Sequence, residues 1–209
     1  IQGGRHWFQL YMLRDRGITE RLVQRALDSG CEALVLTTDS VVVGNHEGDK
    51  RWYSAPGKLT FRAKLDILSR PTWIKDVLLP NGPPGFGNLV EFLPRNQASA
   101  IDGARFISSQ MDTTISWQSV EWLRSIWPRK LIVKGLLCPQ DAAMAEKHGA
   151  DGIVVSNHGG RQLDSAPASI EMLRRIAAAL DGRCDVFLDS GIRRGSDVLK
   201  SVLLGARTV

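Results

Sequence analysis

Cys31-Glu-Ala-Leu-Val-Leu-Thr-Thr-Asp39 carries apolar residues on nearly consecutive positions and then ends on polar ones. A strand with one wet face alternates. An unbroken apolar run is buried on both faces, which is the mark of a parallel sheet covered by helices. Upstream, Thr19 opens a predicted helix with Leu22, Val23, Ala26 and Leu27 at helical spacing and Gly30 at its end. Before it, His6-Trp-Phe-Gln-Leu-Tyr-Met12 is a short aromatic-rich run that reads as another strand. The rhythm returns further along: helix Ser116 to Ile126, strand Lys130 to Leu136, helix Pro139 to His148 and strand Gly152 to Ser156. Helix Ser169 to Leu180, strand Asp185 to Asp189 and helix Gly195 to Leu204 follow, and Ala206 to Val209 starts one more strand.

Repeated βα units imply a parallel α/β fold, either a doubly wound sheet or a barrel. Most of these strands end in a distinctive polar residue: Gln9 and Tyr11, Thr37 and Asp39, Lys134, Ser156 and His158, Asp189. In a TIM (β/α)8 barrel such ends converge on one face, where active sites lie, so convergence favours the barrel. A barrel needs eight strands and typically ~250 residues, so about two units are expected to be missing in front, and the end of the last strand behind. The start at Ile1, without methionine and in mid-pattern, also suggests a fragment. The expected organisation is one partial barrel domain over 1–209, with a long insertion at 40–115 after the second strand. Within that insertion Thr60 to Leu68 and Thr72 to Val77 read as helical, whereas Pro80-Asn-Gly-Pro-Pro-Gly-Phe-Gly87 reads as irregular.

Hydrophobic residues make up 43% and charged residues 23%, which excludes a disordered chain. No run approaches the ~18 apolar residues of a transmembrane helix. Cys31, Cys138 and Cys184 form no CxxC pair and stand at no zinc-ligand spacing from a histidine, so they read as small buried hydrophobes and no metal is expected. The recurring Trp117, Trp122 and Trp127 read as helix packing, and His6 and His148 as solvent-facing. The formal net charge is +5, and +4 of it lies in 48–105, which holds nine Lys/Arg against five Asp/Glu. From Lys50 to Lys75 seven basic residues face Asp66 alone, interleaved with Trp52, Tyr53, Phe61 and Trp73. Basic and aromatic side chains together suit anionic lipid headgroups better than nucleic acid, so a peripheral membrane contact is expected there.

The chemistry concentrates in Ser156-Asn-His158-Gly-Gly-Arg161-Gln-Leu-Asp164, directly after a buried strand. Two glycines let backbone approach a ligand. A histidine is suited to proton transfer near neutrality, and an arginine three residues on can clamp a carboxylate through two parallel hydrogen bonds.

The heptad Ser156 to Gln162 resembles, at every position, the active-site signature of the FMN-dependent 2-hydroxy acid dehydrogenases and oxidases, which include glycolate oxidase, L-lactate dehydrogenase and (S)-mandelate dehydrogenase. Trp7-Phe-Gln-Leu-Tyr11, Leu36-Thr-Thr-Asp39, Leu131-Ile-Val-Lys134-Gly and Asp189-Ser-Gly-Ile-Arg193-Arg-Gly are similar to its other motifs, in order, spanning about barrel strands 3 to 8. Ser109-Gln-Met-Asp112 and Trp127-Pro-Arg-Lys130 are most similar to the mandelate dehydrogenase branch. The resemblance implies that His158 is the catalytic base and that Asp39 stabilises its imidazolium. It implies that Tyr11 and Arg161 bind the substrate. Gln9, Thr37, Lys134 and Ser156 would meet the FMN ring, with Asp189, Gly191 and Arg193 in the phosphate-and-ribityl site. One position departs: His46 stands where the family has an arginine that also clamps the substrate carboxylate.

The expected activity is oxidation of a mandelate- or lactate-like L-2-hydroxy acid to the 2-oxo acid, with electrons passed to a quinone or cytochrome. A hydroxy acid oxidase that uses oxygen and an inactive barrel fragment are the alternatives. The expected setting is a homo-oligomer in the cytoplasm, on the inner face of the cell membrane.

Overall fold

The computed structural model describes residues 4–40, 42, 44, 48, 51–55, 58–82, 86–93 and 100–209. It divides into two compact units, one formed by 1–44 with 111–209 and the other by 45–110.

The first unit is built on five parallel strands: β1 (Trp7–Tyr11), β2 (Ala33–Thr37), β3 (Lys130–Leu136), β4 (Gly152–Val155) and β5 (Asp185–Leu188). They pair in sequence order, β1-β2-β3-β4-β5. A doubly wound sheet reverses its strand order at a switch point. These strands show no reversal. An isolated parallel bridge joins Phe187 to Thr208, where the sequence predicts a further strand.

Alternation along the strands sorts the core into two faces. Ala33, Val35, Ile132 and Val154 form one buried cluster with Phe187 packed against it. Leu34, Leu36, Leu131, Val133, Ile153 and Val155 point to the other face and are fully buried. The first cluster shows how strongly the sheet curls. Trp7 lies on β1 and Phe187 on β5, with three strands between them, yet their rings meet edge-on with centroids 5.3 Å apart. Gly152 lacks a side chain beneath that contact, where a Cβ would stand 2.8 Å from the Phe187 ring.

Helices α1 (Arg16–Asp28), α2 (Trp117–Ile126), α3 (Pro139–Lys147), α4 (Ser169–Leu180) and α5 (Gly195–Leu203) complete the unit. Helix α1 starts three residues before the predicted Thr19. Asp15 caps it, its carboxylate accepting from the N–H groups of Gly17 and Ile18 at 2.9 and 3.3 Å, a cap worth about 1 kcal/mol. Trp127 is fully buried and donates its indole N–H to the Lys130 carbonyl at 2.8 Å. His148 is not solvent-facing: it bonds Glu121 at 2.7 Å and stacks on Trp117. Cys31 and Cys184 are buried, as expected, and burial pushes the Cys184 thiol up to about 12. Cys138 is only partly buried because it occupies the N-cap of α3.

At the N-terminal ends of the strands, Asp151 accepts from Arg124 at 2.8 Å, from Lys130 at 3.0 Å and from the Leu131 N–H at 2.9 Å. These contacts tie β3, β4 and α2 together.

The second unit opens with a short antiparallel pair, Tyr53–Ala55 with Lys58–Leu59. The helix Phe61–Leu68 is capped by Thr60, whose Oγ1 accepts from the Ala63 N–H at 3.2 Å. A helical run then covers Pro71–Trp73, Ile74–Leu78 and Leu79–Asn81, with a π-type turn in its middle. The π turn precedes Pro80, which has no N–H to give and whose ring crowds the carbonyl four residues back. This run takes in Pro80 and Asn81, which read as irregular in the sequence. The helix Ala100–Gln110 was not predicted at all. Among the described residues of this unit only Ala63 and Leu89 are buried apolar side chains, and no described helix of the protein is long and apolar enough to cross a membrane.

Candidate active site

Parallel register carries the polar strand ends of the first unit to one level. Tyr11 pairs with Thr37, and Thr37 with Lys134. Neighbouring strands lie about 4.8 Å apart, so β1, β2 and β3 present a phenol, a hydroxyl and an ammonium at one level, with the Gln9 amide two residues earlier on β1. Gln9 Nε2 donates to Thr37 Oγ1 at 2.9 Å and to the Tyr11 hydroxyl at 3.2 Å. Burial pushes the Tyr11 phenol up, the Asp39 charge pushes the same way, and the Gln9 hydrogen bond opposes both.

Lys134 lies near the C-terminal end of β3, before Gly135 and Leu136, and its ammonium is directed rather than free. Nζ donates to Ser156 Oγ at 2.7 Å and to Asp189 Oδ2 at 2.6 Å, which uses two of its three N–H donors. Burial is the largest single influence on the Asp189 carboxyl and pushes it up. Hydrogen bonds from Lys134, Ser156 and Ser190 outweigh it and hold the group below the usual carboxylate range. Ser156 Oγ also accepts from the His158 N–H at 3.0 Å, so one serine links the lysine to the histidine loop. Ser190 links it to the next loop, donating to Asp189 Oδ1 and accepting from the Gly159 N–H, both at 2.9 Å.

His158 adopts a left-handed backbone, φ +56, unusual for a residue with a Cβ. Its Nδ1 lies 3.0 Å from Asp39 Oδ1. A carboxylate only accepts, so the hydrogen between them sits on Nδ1 and the Nε2 lone pair is left for chemistry. Gly135 makes room for this pair. At φ +102, a Cβ there would stand 2.6 Å from both Cβ and Cγ of Asp39.

The structure therefore brings Gln9, Tyr11 and Thr37 into one hydrogen-bonded group and Asp39, Lys134, Ser156, His158 and Asp189 into a second at the same strand ends. Arg161 is exposed on the His158 loop and donates its backbone N–H to the His158 carbonyl at 3.3 Å. Gly191 and Arg193 line a cavity of about 830 Å3 beside the same loops, together with Gly159, Gly160, Ser190 and Lys200. His46 lies outside the described residues. Ser40, Gln162, Gly135 and Ser190 were not singled out from sequence. Gln162, Gly135 and Ser190 sit inside the motifs already quoted, whereas Ser40 merely follows Asp39.

The residues present suit a flat, polar-edged ring. The amide, hydroxyl and ammonium of β1 to β3 form a row of hydrogen-bonding groups. Asp39 Oδ2 and Gln162 Oε1 are buried acceptors with no partner among the described residues, as expected where a ligand supplies the donors. No group of three or more His, Cys, Asp or Glu side chains able to hold a metal is found among the described residues.

A curled sheet of sequential parallel strands, with a His–Asp pair and a half-buried, hydrogen-bonded lysine at one end, defines an α/β enzyme-like site. The chain belongs to the FMN-dependent dehydrogenase family, whose model matches residues 1–209. It is 40% identical over 203 residues to an L-lactate dehydrogenase of Acinetobacter baylyi, covering 97% of this chain and 53% of the relative. A second L-lactate dehydrogenase, of Chromohalobacter salexigens, is also 40% identical, over 97% of this chain and 52% of its own length. Among solved structures, that of the monotopic membrane protein (S)-mandelate dehydrogenase superposes with a TM-score of 0.88 at 41% identity, over 99% of this chain and 54% of the other. A mandelate oxidase matches with a TM-score of 0.71 at 39% identity, over 99% of this chain and 50% of the other. The chain thus spans about half the length of the relatives it matches.

Proposed function

We propose that the protein oxidises an L-2-hydroxy acid, mandelate- or lactate-like, to the 2-oxo acid, within an eight-stranded FMN-binding barrel of which these five strands are part and which the 40–115 segment interrupts. The observation that carries this reading is the 3.0 Å contact between His158 Nδ1 and Asp39 Oδ1 at the strand ends. When bound, FMN supplies the two-electron acceptor. His158 Nε2 takes a proton from the substrate, and Asp39 offsets the positive charge the ring gains. Tyr11 hydrogen-bonds the substrate, Arg161 pairs with its carboxylate, and His46 takes the place of a second cationic partner. Gln9, Thr37, Ser156 and the third N–H of Lys134 bind the ring edge, where the lysine's charge favours electron uptake. Asp189, Gly191 and Arg193 hold the ribityl phosphate, in the region where barrels bind phosphate.

The preferred electron acceptor is a quinone or cytochrome at the cytoplasmic face of the cell membrane. Two observations support the membrane contact. Phe61, Leu65 and Leu68 fall on one face of their helix at i, i+4 and i+7 and are 76%, 51% and 68% exposed, with Arg62 and Lys64 between them. The (S)-mandelate dehydrogenase relative is itself monotopic. The likeness to mandelate oxidase favours oxygen as the second reading. Protein reduced anaerobically with a 2-hydroxy acid and then mixed with a quinone analogue or with oxygen separates the two. Faster recovery of the yellow colour with the quinone supports the dehydrogenase, and faster recovery with oxygen the oxidase.

A further inference from the structure

Ser40 is buried, directly follows Asp39 and has no part in the roles described above. Its Oγ lies 3.1 Å from His158 Nδ1 and 3.4 Å from Asp39 Oδ1, and it accepts from Gln162 Nε2 at 2.9 Å. The hydrogens can be assigned from donor and acceptor chemistry. Asp39 only accepts, so His158 Nδ1 carries its hydrogen and Ser40 must accept it too. Ser40 then has its own hydrogen to give to Asp39 Oδ1. The Nδ1 hydrogen is then shared between two acceptors, and every contact in the cluster has a donor and an acceptor.

We propose that Ser40 is a positioning residue for His158: anchored by Gln162, its hydroxyl shares the Nδ1 hydrogen with Asp39 and holds the ring with Nε2 facing the substrate. A single acceptor lets an imidazole rock about its one bond. Two acceptors on consecutive residues, approaching from the end of β2, leave the ring one plane. Gln162 belongs to the same loop as His158, four residues on, so two hydrogen bonds to one serine latch that loop to the end of β2. Among the described residues, the other charged or titratable side chains of these strand ends and loops are Tyr11, Lys134, Arg161, Asp164, Asp189, Arg193 and Arg194. Lys134 and Asp189 are paired with one another, and Tyr11 bonds Gln9. The inference rests on His158 acting as the base.

The test compares the FMN-loaded protein with its Ser40→Ala and Ser40→Thr variants. Ring 15N NMR of His158 reports both the tautomer and the motion of the ring without any substrate. All three proteins should show the Nδ1–H form that Asp39 fixes, with ring resonances sharp in the parent and in Ser40→Thr and broadened by rocking of the ring in Ser40→Ala. With a 2-hydroxy acid, Ser40→Ala should lose about tenfold in kcat with little change in KM, the effect expected of one hydrogen bond to a charged group. Gln162→Met, which leaves the serine in place but unanchored, should fall between Ser40→Ala and the parent in both measurements. Ring resonances in Ser40→Ala as sharp as the parent's overturn the proposal, whether or not kcat falls. If the parent turns over no 2-hydroxy acid, the base role of His158 fails, and the ring-motion measurement still decides whether Ser40 orients the ring.

Discussion

His158 Nδ1 and Asp39 Oδ1 lie 3.0 Å apart across 119 positions of sequence. Neither residue is held by its own loop alone. Ser156 takes the His158 N–H, and the absent side chain of Gly135 makes room for Asp39. The geometry of the pair therefore depends on residues that never touch a substrate.

Gly135→Ala should test that dependence. The new Cβ would meet Asp39 at 2.6 Å in a left-handed backbone, φ +102. The strain alone costs roughly 1–2 kcal/mol, and relief requires Asp39 to move away from His158. The expected result is a lower denaturation midpoint together with a fall in kcat/KM of about tenfold or more. A variant that is destabilised but fully active would show that Asp39 does not depend on Gly135.

Acid should weaken the fold only below the ordinary carboxylate range. Asp189 and Asp151 are both held below it: burial, the largest influence on each, raises them, but hydrogen bonds and cations outweigh it. A depressed folded pKa contributes stability that is present above the unfolded value, about 3.9, and is lost as pH falls through the folded value. Denaturant midpoints should therefore show no loss from these groups between pH 7 and 5 and a fall below about pH 4. Asp151→Asn should lower stability at pH 7 by about 1 kcal/mol, a modest figure because the group is partly exposed and screened, and should remove part of the acid loss. An acid profile identical to the parent's would show that the Asp151 node contributes nothing.

The legible parts of the chain were those where a local pattern and the tertiary structure agree. The strand Lys130–Leu136 and the helix Ser169–Leu180 carry unbroken apolar or amphipathic patterns, and the structure has the same limits. Helix α1 begins earlier than its apolar stripe because Asp15, a polar residue outside the stripe, sets the start. The helix Ala100–Gln110 was hidden by Gly103, a poor helix former. Its reason is tertiary, since a Cβ there would stand 2.4 Å from the Phe86 ring. In the site, His158 and Asp39 stood out because charged groups follow apolar strands. Ser40 did not, because a serine beside an aspartate is unremarkable until the fold carries His158 and Gln162 to it.

The apolar face of the helix Phe61–Leu68 should mediate vesicle binding. Phe61→Ser, Leu65→Ser and Leu68→Ser together remove three exposed anchors, each worth roughly 1.5–3 kcal/mol when buried. The triple variant should stay in the bottom fraction when floated with anionic vesicles that carry the parent upward, with flavin content unchanged. Equal flotation of the two proteins would rule out this face as the anchor.

His46→Arg tests the proposed role of His46 as a second partner of the substrate carboxylate. A histidine with its ordinary pKa of about 6.5 is mostly uncharged at pH 8, whereas an arginine is always charged. One charged hydrogen bond more to the substrate carboxylate is worth roughly 1.5–3 kcal/mol, or about 10- to 150-fold in affinity. The variant should have a lower KM at pH 8 and a flatter dependence of KM on pH. If it matches the parent at both pH 6 and pH 8, His46 does not reach the substrate.

On the proposed function, His158, oriented by Asp39, removes the substrate's proton. The most direct measurement is the rate at which bound flavin bleaches in a single anaerobic turnover with mandelate or lactate. The parent should bleach, and His158→Asn should retain its yellow flavin but bleach slower by about 100- to 10,000-fold, the usual contribution of a general base. Asp39→Asn should lie between them. Bleaching of His158→Asn at the parent's rate would contradict the account.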